Sequence, residues 1–281
     1  MDVQWFPGHM ASARRDLTEA LSRNDVLIEV LDARLPQSSH NPLIAQLASH
    51  RRRPCLKVLN KKDLADPRIT RQWLTHLNKE QGVRAISLCA HKAGEAAAIP
   101  GECRRLAPHR EGPGKTLRLL VAGVPNVGKS TLINTLLKVR RAGVGDEPAL
   151  TRRQHCYDLK SGVSLTDTPG LLWPKIEDQS TGQLLAASRA IGVNAYIAEQ
   201  TAAFLADRLA LQYPRLLQQR YKLPDWLLQQ ADGDALLVAV AKARRVMRAG
   251  LPDESRAAQI LLQDFRTGKL GRISMESPPG L

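Results

Sequence analysis

Apolar residues in the first part of the chain occur in short runs, and amphipathic segments separate these runs. Short apolar runs predict buried strands, whereas apolar residues spaced three and four apart predict helices. Their alternation is typical of βα units that build a largely parallel sheet. The predicted strands are Val26–Leu31, Cys55–Leu59, Arg84–Leu88, Leu117–Ala122, Gln154–Leu159 and Val163–Thr166; the predicted helices are Ala11–Ser22, Pro42–Ser49, Ile69–Gln81, Glu95–Leu106 and Lys129–Leu137.

The pattern changes after Trp173-Pro174. Alanine, leucine, glutamine and arginine then dominate, β-branched residues become rarer, and the apolar spacing is mostly helical. We therefore expect residues 1–178 to form an α/β domain and residues 179–281 to form a small all-α domain. The stretch Pro108–Lys115 is rich in proline and glycine, which predicts a linker inside the α/β domain.

The charge balance narrows the choice of partners. Lysine and arginine number 41 against 27 acidic residues, a formal net charge of +14. This excess favours the hypothesis that the protein binds a polyanion, either nucleic acid or an anionic membrane surface. The alternative is a basic protein that binds no polyanion. No polybasic tail lies beside an amphipathic helix, so nucleic acid is the preferred prediction. The chain also lacks a long unbroken apolar run, which predicts no membrane span.

The cysteines and the N-terminus indicate the compartment. The N-terminal residues have neither the basic start nor the apolar core of a signal peptide. Because no Cys-x-x-Cys pair occurs, we expect reduced thiols, a cytoplasmic protein and no disulfide framework or zinc site. Nothing in the sequence predicts an obligate oligomer, so a monomer is expected. The cysteines are Cys55, Cys89, Cys103 and Cys156.

A phosphate-binding loop is predicted at Gly123-Val-Pro-Asn-Val-Gly-Lys-Ser130, which matches G-x-x-x-x-G-K-[ST]. The match lies between a predicted strand and a predicted helix, a setting in which backbone N–H groups and a helix N-terminus bind phosphate. Lys129 is expected to reach the β- and γ-phosphates as a catalytic residue, and Ser130 to ligate Mg²⁺. The predicted nucleotide-binding residues of this loop are Asn126, Val127, Gly128, Lys129, Ser130 and Thr131.

A second motif, Asp167-Thr168-Pro169-Gly170, follows the last predicted strand. An acid at this position holds the water shell of Mg²⁺, and a glycine N–H contacts the γ-phosphate. The polar loop between the two motifs offers Thr151 as a further Mg²⁺ ligand when a γ-phosphate is present. We therefore predict a Mg²⁺ site of Ser130, Thr151 and Asp167, with Gly170 in contact with the γ-phosphate of the nucleotide.

The base is predicted to bind at Asn60-Lys61-Lys62-Asp63. The Asp63 carboxylate can accept two hydrogen bonds from the N1 and N2 donors of guanine, and adenine lacks both donors. Alone, such a segment is as often a surface turn, but the two phosphate motifs favour guanine. Asn60, Lys61 and Asp63 are the predicted contacts. The loop Cys89, Ala90 and His91 after the next strand is predicted to support the base through its backbone.

The order of these motifs is unusual, because the phosphate-binding loop comes first in ordinary GTPases and follows the Asn60–Asp63 motif here. Together with Trp5–Met10 (Trp-Phe-Pro-Gly-His-Met) and Asp32-Ala33-Arg34, the set resembles the ribosome biogenesis GTPase A family of circularly permuted GTPases, whose motif order is G4-G5-G1-G2-G3. The resemblance implies a P-loop GTPase domain followed by a helical RNA-binding domain. It further implies a role in late maturation of the large ribosomal subunit, with ribosomal RNA and ribosomal proteins as binding partners.

The residue that activates water is the least clear part of the predicted site. Many GTPases place a water-orienting glutamine where this chain has Leu171, which cannot polarise water, so slow intrinsic hydrolysis is expected. An imidazole at His9, to which the resemblance also points, can orient or deprotonate water near neutral pH. The alternative is that His9 caps the first helix or contacts RNA.

Asn126 adds a cation to the hypothesis. In related GTPases an asparagine here accompanies K⁺, which supplies positive charge near the β- and γ-phosphates; the alternative is a solvent-facing polar group.

The leading prediction for the function of the protein is a GTP hydrolase stimulated by the ribosomal particle. Because of Leu171, an RNA-binding assembly scaffold with incidental turnover stays open, whereas the Trp5–Met10 segment disfavours a GTPase of RNA modification or translation.

Overall fold

The structure, a computed structural model, describes residues 7–138, 155–159, 162–173 and 176–280, with side chains from Arg14 onward. These residues divide into two compact units. The sheet unit comprises the described residues before Ile176 and those from Glu276 onward, and the helical unit runs from Ile176 to Met275. The predicted division into residues 1–178 and 179–281 did not anticipate that the last residues belong to the sheet unit.

Six described strands form one sheet: β1 (Val26–Asp32), β2 (Cys55–Asn60), β3 (Val83–Leu88), β4 (Leu117–Ala122), β5 (His155–Leu159) and β6 (Val163–Asp167). They lie in the order β3-β2-β1-β4-β6-β5. All neighbours pair in parallel except β5, which runs antiparallel to β6. β1 and β2 are buried along their full length, as expected of a sheet covered on both faces. The carboxyl ends of the five parallel strands therefore meet at one edge.

The described helices of the sheet unit are α1 (Pro7–Arg23), α2 (Pro36–Ser39), α3 (Pro42–His50), α4 (Pro67–Leu77), α5 (Ala93–Ala96), α6 (Ile99–Leu106) and α7 (Lys129–Leu137). Leu17 and Leu21 of α1 share a buried cluster with Ile44 of α3 and with sheet residues. Trp73 of α4 lies in a second cluster, with residues of β1, β2 and β3. These clusters fix the helices on the sheet.

The predicted α/β class is confirmed, but several helices differ from the sequence pattern. α1 begins at Pro7 rather than Ala11, and α4 spans Pro67–Leu77 rather than Ile69–Gln81. The predicted helix Glu95–Leu106 is wrong as one element, because it is divided into α5 and α6. Pro100, which has no backbone N–H, lies in the first turn of α6, where that donor is not needed. α4 begins earlier than predicted because the Asp66 carboxylate accepts hydrogen bonds from the first N–H groups of the helix.

The described helices of the helical unit are α8 (Gln179–Ala187), α9 (Ala198–Gln212), α10 (Pro214–Tyr221), α11 (Asp225–Gln230), α12 (Gly233–Arg244) and α13 (Glu254–Thr267). α9 contacts each of the other five helices and so forms the centre of this unit. A short hairpin of β7 (Met247–Arg248) and β8 (Leu251–Pro252), which the helical pattern did not predict, precedes α13. Among the described residues, no helix is long and apolar enough to cross a membrane.

Candidate functional site

The separate sequence motifs meet at the carboxyl edge of the sheet. In the strand register, Asp32 at the end of β1 is opposite Asn60 at the end of β2. Asp167 ends β6 and is opposite Val121 of β4. The last residue of β4, Ala122, comes directly before the predicted phosphate-binding loop. The parallel topology therefore gathers segments that are far apart in the sequence, at the edge where α/β proteins bind ligands.

The loop between β4 and α7 has a backbone that requires glycine at two positions. Gly123 has a φ of 149°, and a Cβ there would lie 2.5 Å from the carbonyl oxygen of Val30. Gly128 has a φ of 103°, precedes α7, and would place a Cβ 2.2 Å from Asn60 Nδ2. The loop thus packs tightly against β1 and the Asn60–Asp63 segment. It leads into the N-terminus of α7, where Ser130 and Thr131 lie in the first turn.

Lys129 and Asp167 form the most polar part of the buried edge. The Lys129 ammonium donates a 3.0 Å hydrogen bond to the Val124 carbonyl, and burial lowers the pKa of Lys129 to about 8 against the influence of Asp167. Burial raises the pKa of Asp167 to about 6, although Lys129 opposes this shift. Among the residues that the structure describes, neither buried oxygen of the Asp167 carboxylate has a hydrogen-bond partner, a costly state that a bound cation would relieve.

The unpartnered Asp167 carboxylate fits a Mg²⁺ site. Mg²⁺ takes oxygen ligands, typically one or two from the protein and the others from phosphates and water. Ser130 supplies a hydroxyl from the first turn of α7. Thr151, the third predicted ligand, lies outside the described residues.

The Asn60–Asp63 segment contacts the predicted phosphate-binding loop directly. The Asn60 amide donates to the Val127 carbonyl at 2.7 Å and accepts from the Ala90 N–H at 2.8 Å. The Lys61 ammonium donates to the Asn126 carbonyl at 2.8 Å. Base-binding and phosphate-binding segments are therefore joined by side-chain hydrogen bonds to loop carbonyls.

Asp63 and the loop after β3 lie together beside this segment. The Asp63 side chain is exposed, and its Oδ1 accepts a 3.0 Å hydrogen bond from Cys89 Sγ. Burial raises the pKa of the Cys89 thiol, so this thiol is a donor. The Cys89 N–H donates to Glu95 at 2.8 Å, whereas His91 is exposed. The predicted base-binding residues are thus adjacent; their contacts with a base stay predictions.

The Asp167–Gly170 motif turns back onto the phosphate-binding loop. The Thr168 hydroxyl donates to the Val121 carbonyl at 2.9 Å, and a Cβ on Gly170 would lie 2.9 Å from Pro125 Cα. The next residue, Leu171, packs its side chain against the apolar cluster that contains Leu17. At the position where a water-orienting side chain was considered, the chain therefore has a partly buried apolar residue that packs against the core.

The side chains of two predicted site residues, Thr151 and His9, lie outside the described part of the chain. The backbone of His9 belongs to the first turn of α1. Conversely, the sequence assigned no role to Asp32 and Arg34, which the structure places next to Lys61. The signal for them was the Asp32-Ala33-Arg34 motif itself at the end of a predicted strand.

A P-loop that packs against an Asn-Lys-x-Asp segment, on a parallel sheet with permuted motif order, defines a circularly permuted P-loop GTPase. The family model described as a 50S ribosome-binding GTPase matches residues 118–241. The fold is also that of the crystal structure of GNP-bound YlqF from Thermotoga maritima, with a TM-score of 0.68, 24% identity, and coverage of 96% of this chain and 100% of that one.

Curated relatives give the family. Ribosome biogenesis GTPase A of Bacillus cereus is 39% identical over 99% of this chain and 95% of its own length. The protein of the same name from Thermotoga maritima is 30% identical over 98% of this chain and 95% of its own length. The chain belongs to the ribosome biogenesis GTPase A family, and it is an enzyme that hydrolyses GTP.

Proposed function

We propose that this GTPase is an assembly factor that acts in late maturation of the large ribosomal subunit. The observation that carries the proposal is the near-full-length similarity to the ribosome biogenesis GTPase A of Bacillus cereus. The net charge of +14 supports ribosomal RNA as the surface to which it binds, together with ribosomal proteins. We propose a cytoplasmic monomer, in which residues 179–281 bind RNA.

The site residues have distinct proposed roles. Asn60, Lys61 and Asp63 bind guanine, with Cys89, Ala90 and His91 beside the base. The phosphates lie on Asn126–Thr131 and Gly170, and the Lys129 ammonium leaves the Val124 carbonyl to contact them. Ser130, Thr151 and Asp167 hold Mg²⁺, which when bound neutralises charge on the phosphate oxygens.

Stimulated hydrolysis follows from an incomplete site. Leu171 has an apolar side chain that packs against the core and cannot orient water, so a further group must act in the particle-bound state. We propose His9 for this role, because a neutral imidazole accepts a proton from water at physiological pH. Asn126 is proposed to accompany a K⁺ ion that adds positive charge near the phosphates.

The first experiment compares GTP hydrolysis in K⁺ buffer with and without purified large ribosomal subunits. We expect the subunits to accelerate turnover, and His9→Ala to reduce the stimulated rate by about 100-fold or more without weakening GDP binding. His50→Ala, which changes an exposed histidine at the end of α3, is the matched control and should behave as the wild type. Equal rates in Na⁺ and K⁺ buffers would contradict the role of K⁺.

The alternative function is an RNA-binding scaffold whose turnover is incidental, and the apolar Leu171 side chain packed against the core is the observation that favours it. Both functions predict GTP-dependent binding to the subunit. Binding without acceleration supports the scaffold and assigns His9 to structure. Acceleration that His9→Ala removes supports the particle-stimulated enzyme.

A further inference from the structure

A buried ion cluster lies directly behind the guanine-binding segment. Asp32 and Arg34 are each only 1% exposed. The Arg34 guanidinium donates to both Asp32 oxygens, from Nε to Oδ1 at 2.9 Å and from Nη2 to Oδ2 at 2.8 Å. The backbone N–H of Arg34 adds a 3.1 Å hydrogen bond to Oδ1. Such a bidentate pair fixes the direction of the carboxylate.

The same carboxylate contacts a residue of the proposed GTP site. The Lys61 ammonium donates to Asp32 Oδ2 at 2.9 Å and to the Asn126 carbonyl at 2.8 Å. Lys61 has a φ of 60° and Asn126 a φ of 59°, so both backbones are in the left-handed region. One ammonium therefore joins the end of β1 to the phosphate-binding loop at a point where that loop turns sharply.

We propose that Asp32 is a positioning residue for guanine nucleotide binding, because it holds the Lys61 ammonium on the Asn126 carbonyl. This contact sets the phosphate-binding loop and the guanine-binding segment in one arrangement before the nucleotide binds. The inference rests on the proposed assignment of these two segments to GTP. In this role Asp32 acts through Lys61.

Charge explains why an acid is needed at this position. Without the Asp32 carboxylate, the Lys61 ammonium would face the Arg34 guanidinium in a buried setting, and two like charges there repel. Lys61 would then turn towards solvent, and the Asn126 carbonyl would lose its donor. Burial alone raises the pKa of Asp32, but Arg34 and Lys61 outweigh this and hold that pKa far below its usual range, so the carboxylate stays charged.

The backbone around Asp32 is held in place on both sides. The N–H of Ala33 donates to the Asn60 carbonyl at 2.8 Å, which extends the pairing of β1 with β2 to the residue before Lys61. The N–H of Asp32 donates to the Ser39 hydroxyl at 3.0 Å. The carboxylate is therefore aimed at Lys61 by its own neighbours, as a positioning residue requires.

The test measures GDP affinity in the presence of Mg²⁺, by fluorescence of a labelled GDP, together with chemical denaturation of the full chain. We expect Asp32→Asn to raise the Kd for GDP by about tenfold or more, the effect of losing one charge-assisted hydrogen bond. Because this variant removes the buried carboxylate that pairs with the Arg34 guanidinium, it is also expected to be less stable. The double variant Asp32→Asn/Arg34→Met removes both charges and should regain stability while its Kd stays raised.

A matched control lies just before the other end of the same strand. Asp25 is 2% exposed and pairs with Arg118 and Arg110. Asp25→Asn removes a buried carboxylate that is paired with two partly exposed arginines away from the site, so it should lower stability and leave the Kd for GDP unchanged. Recovery of wild-type affinity in the double variant would overturn the proposal, because Asp32 would then act only as the partner of Arg34. Failure of the wild type to bind GDP would instead overturn the proposed GTP site.

Discussion

Among single residues, Asp167 makes the strongest prediction, because both of its carboxylate oxygens are buried and have no hydrogen-bond partner in the described part of the chain. Its pKa is raised to about 6 by burial, from an ordinary value of 3.8. Since the folded pKa is the higher one, the charged group lowers stability above pH 6, and this penalty disappears as the pH falls towards 4. At pH 8 we expect Asp167→Asn to increase the free energy of unfolding by about 1–3 kcal/mol, measured by chemical denaturation without nucleotide.

The proposed Mg²⁺ site makes the opposite prediction once ligand is present. With Mg²⁺ and GTP, the wild type should become the more stable protein, because only its carboxylate holds the metal's water shell and ligand binding stabilises the folded state. Asp158→Asn, at an exposed position of β5, is the matched control and should change neither result. A variant at Asp167 that is less stable than the wild type at pH 8 without nucleotide would contradict the interpretation.

Candidate chemical groups were easier to propose from the sequence than the residues that position them. Lys129, Asn60 and Asp63 are recognisable because their motifs specify groups that phosphate or guanine requires. The role of Asp32 was not predictable in the same way. Its partner Lys61 follows Asn60, which is opposite Asp32 only after β1 and β2 pair, so the contact depends on strand register, which no local pattern specifies.

Among the elements, the contact between α9 and α12 leads to a prediction about packing. Gly233 begins α12, and a Cβ there would lie 2.2 Å from the Ala203 carbonyl oxygen in α9. Because backbone cannot yield as a flexible side chain does, we expect Gly233→Ala to destabilise the helical unit by about 1–3 kcal/mol. Chemical denaturation followed by circular dichroism measures this loss. The Kd for GDP should stay unchanged, since the nucleotide motifs lie in the sheet unit.

A second glycine in the same unit provides the control. Gly182 lies inside α8, and the nearest atom to an added Cβ, on Ile176, is 3.8 Å away. Alanine is the better helix former, so Gly182→Ala should leave stability unchanged or raise it by about 0.5–1 kcal/mol. Equal destabilisation by the two substitutions would show that the close contact of α9 and α12 is not the cause.

Elements with a strong local signal were predicted well, and those that depend on one residue were not. The helix Lys129–Leu137 was predicted with the bounds that the structure gives. The division of Glu95–Leu106 into α5 and α6 follows from Pro100. The apolar residues on both sides of that proline keep a helical spacing, so the pattern predicted one continuous helix. α2 has only four residues, too few for a periodic pattern, and Glu276 from the end of the chain contacts its N–H groups.

For the whole molecule, the notable feature is that the chain enters the helical unit at Ile176 and re-enters the sheet unit at Glu276. There the Glu276 carboxylate accepts hydrogen bonds from the N–H groups of Gln37, at 2.8 Å, and Ser38, at 3.1 Å. The Ser38 hydroxyl is a third donor, and Trp73 Nε1 donates to the Glu276 carbonyl at 2.9 Å. One residue thus joins the chain end to α2 and α4, which a sequence pattern cannot show.

This return predicts that the last residues stabilise the sheet unit. A chain that ends at Met275 loses the carboxylate that caps α2 and the acceptor of Trp73, and we expect its free energy of unfolding to fall by about 2 kcal/mol. A chain that ends at Pro278 keeps Glu276 and should unfold as the full chain does. Glu276→Gln, which retains the backbone acceptor of Trp73, should give an intermediate loss. If both truncated chains have the same free energy of unfolding, the contacts of Glu276 do not stabilise the sheet unit.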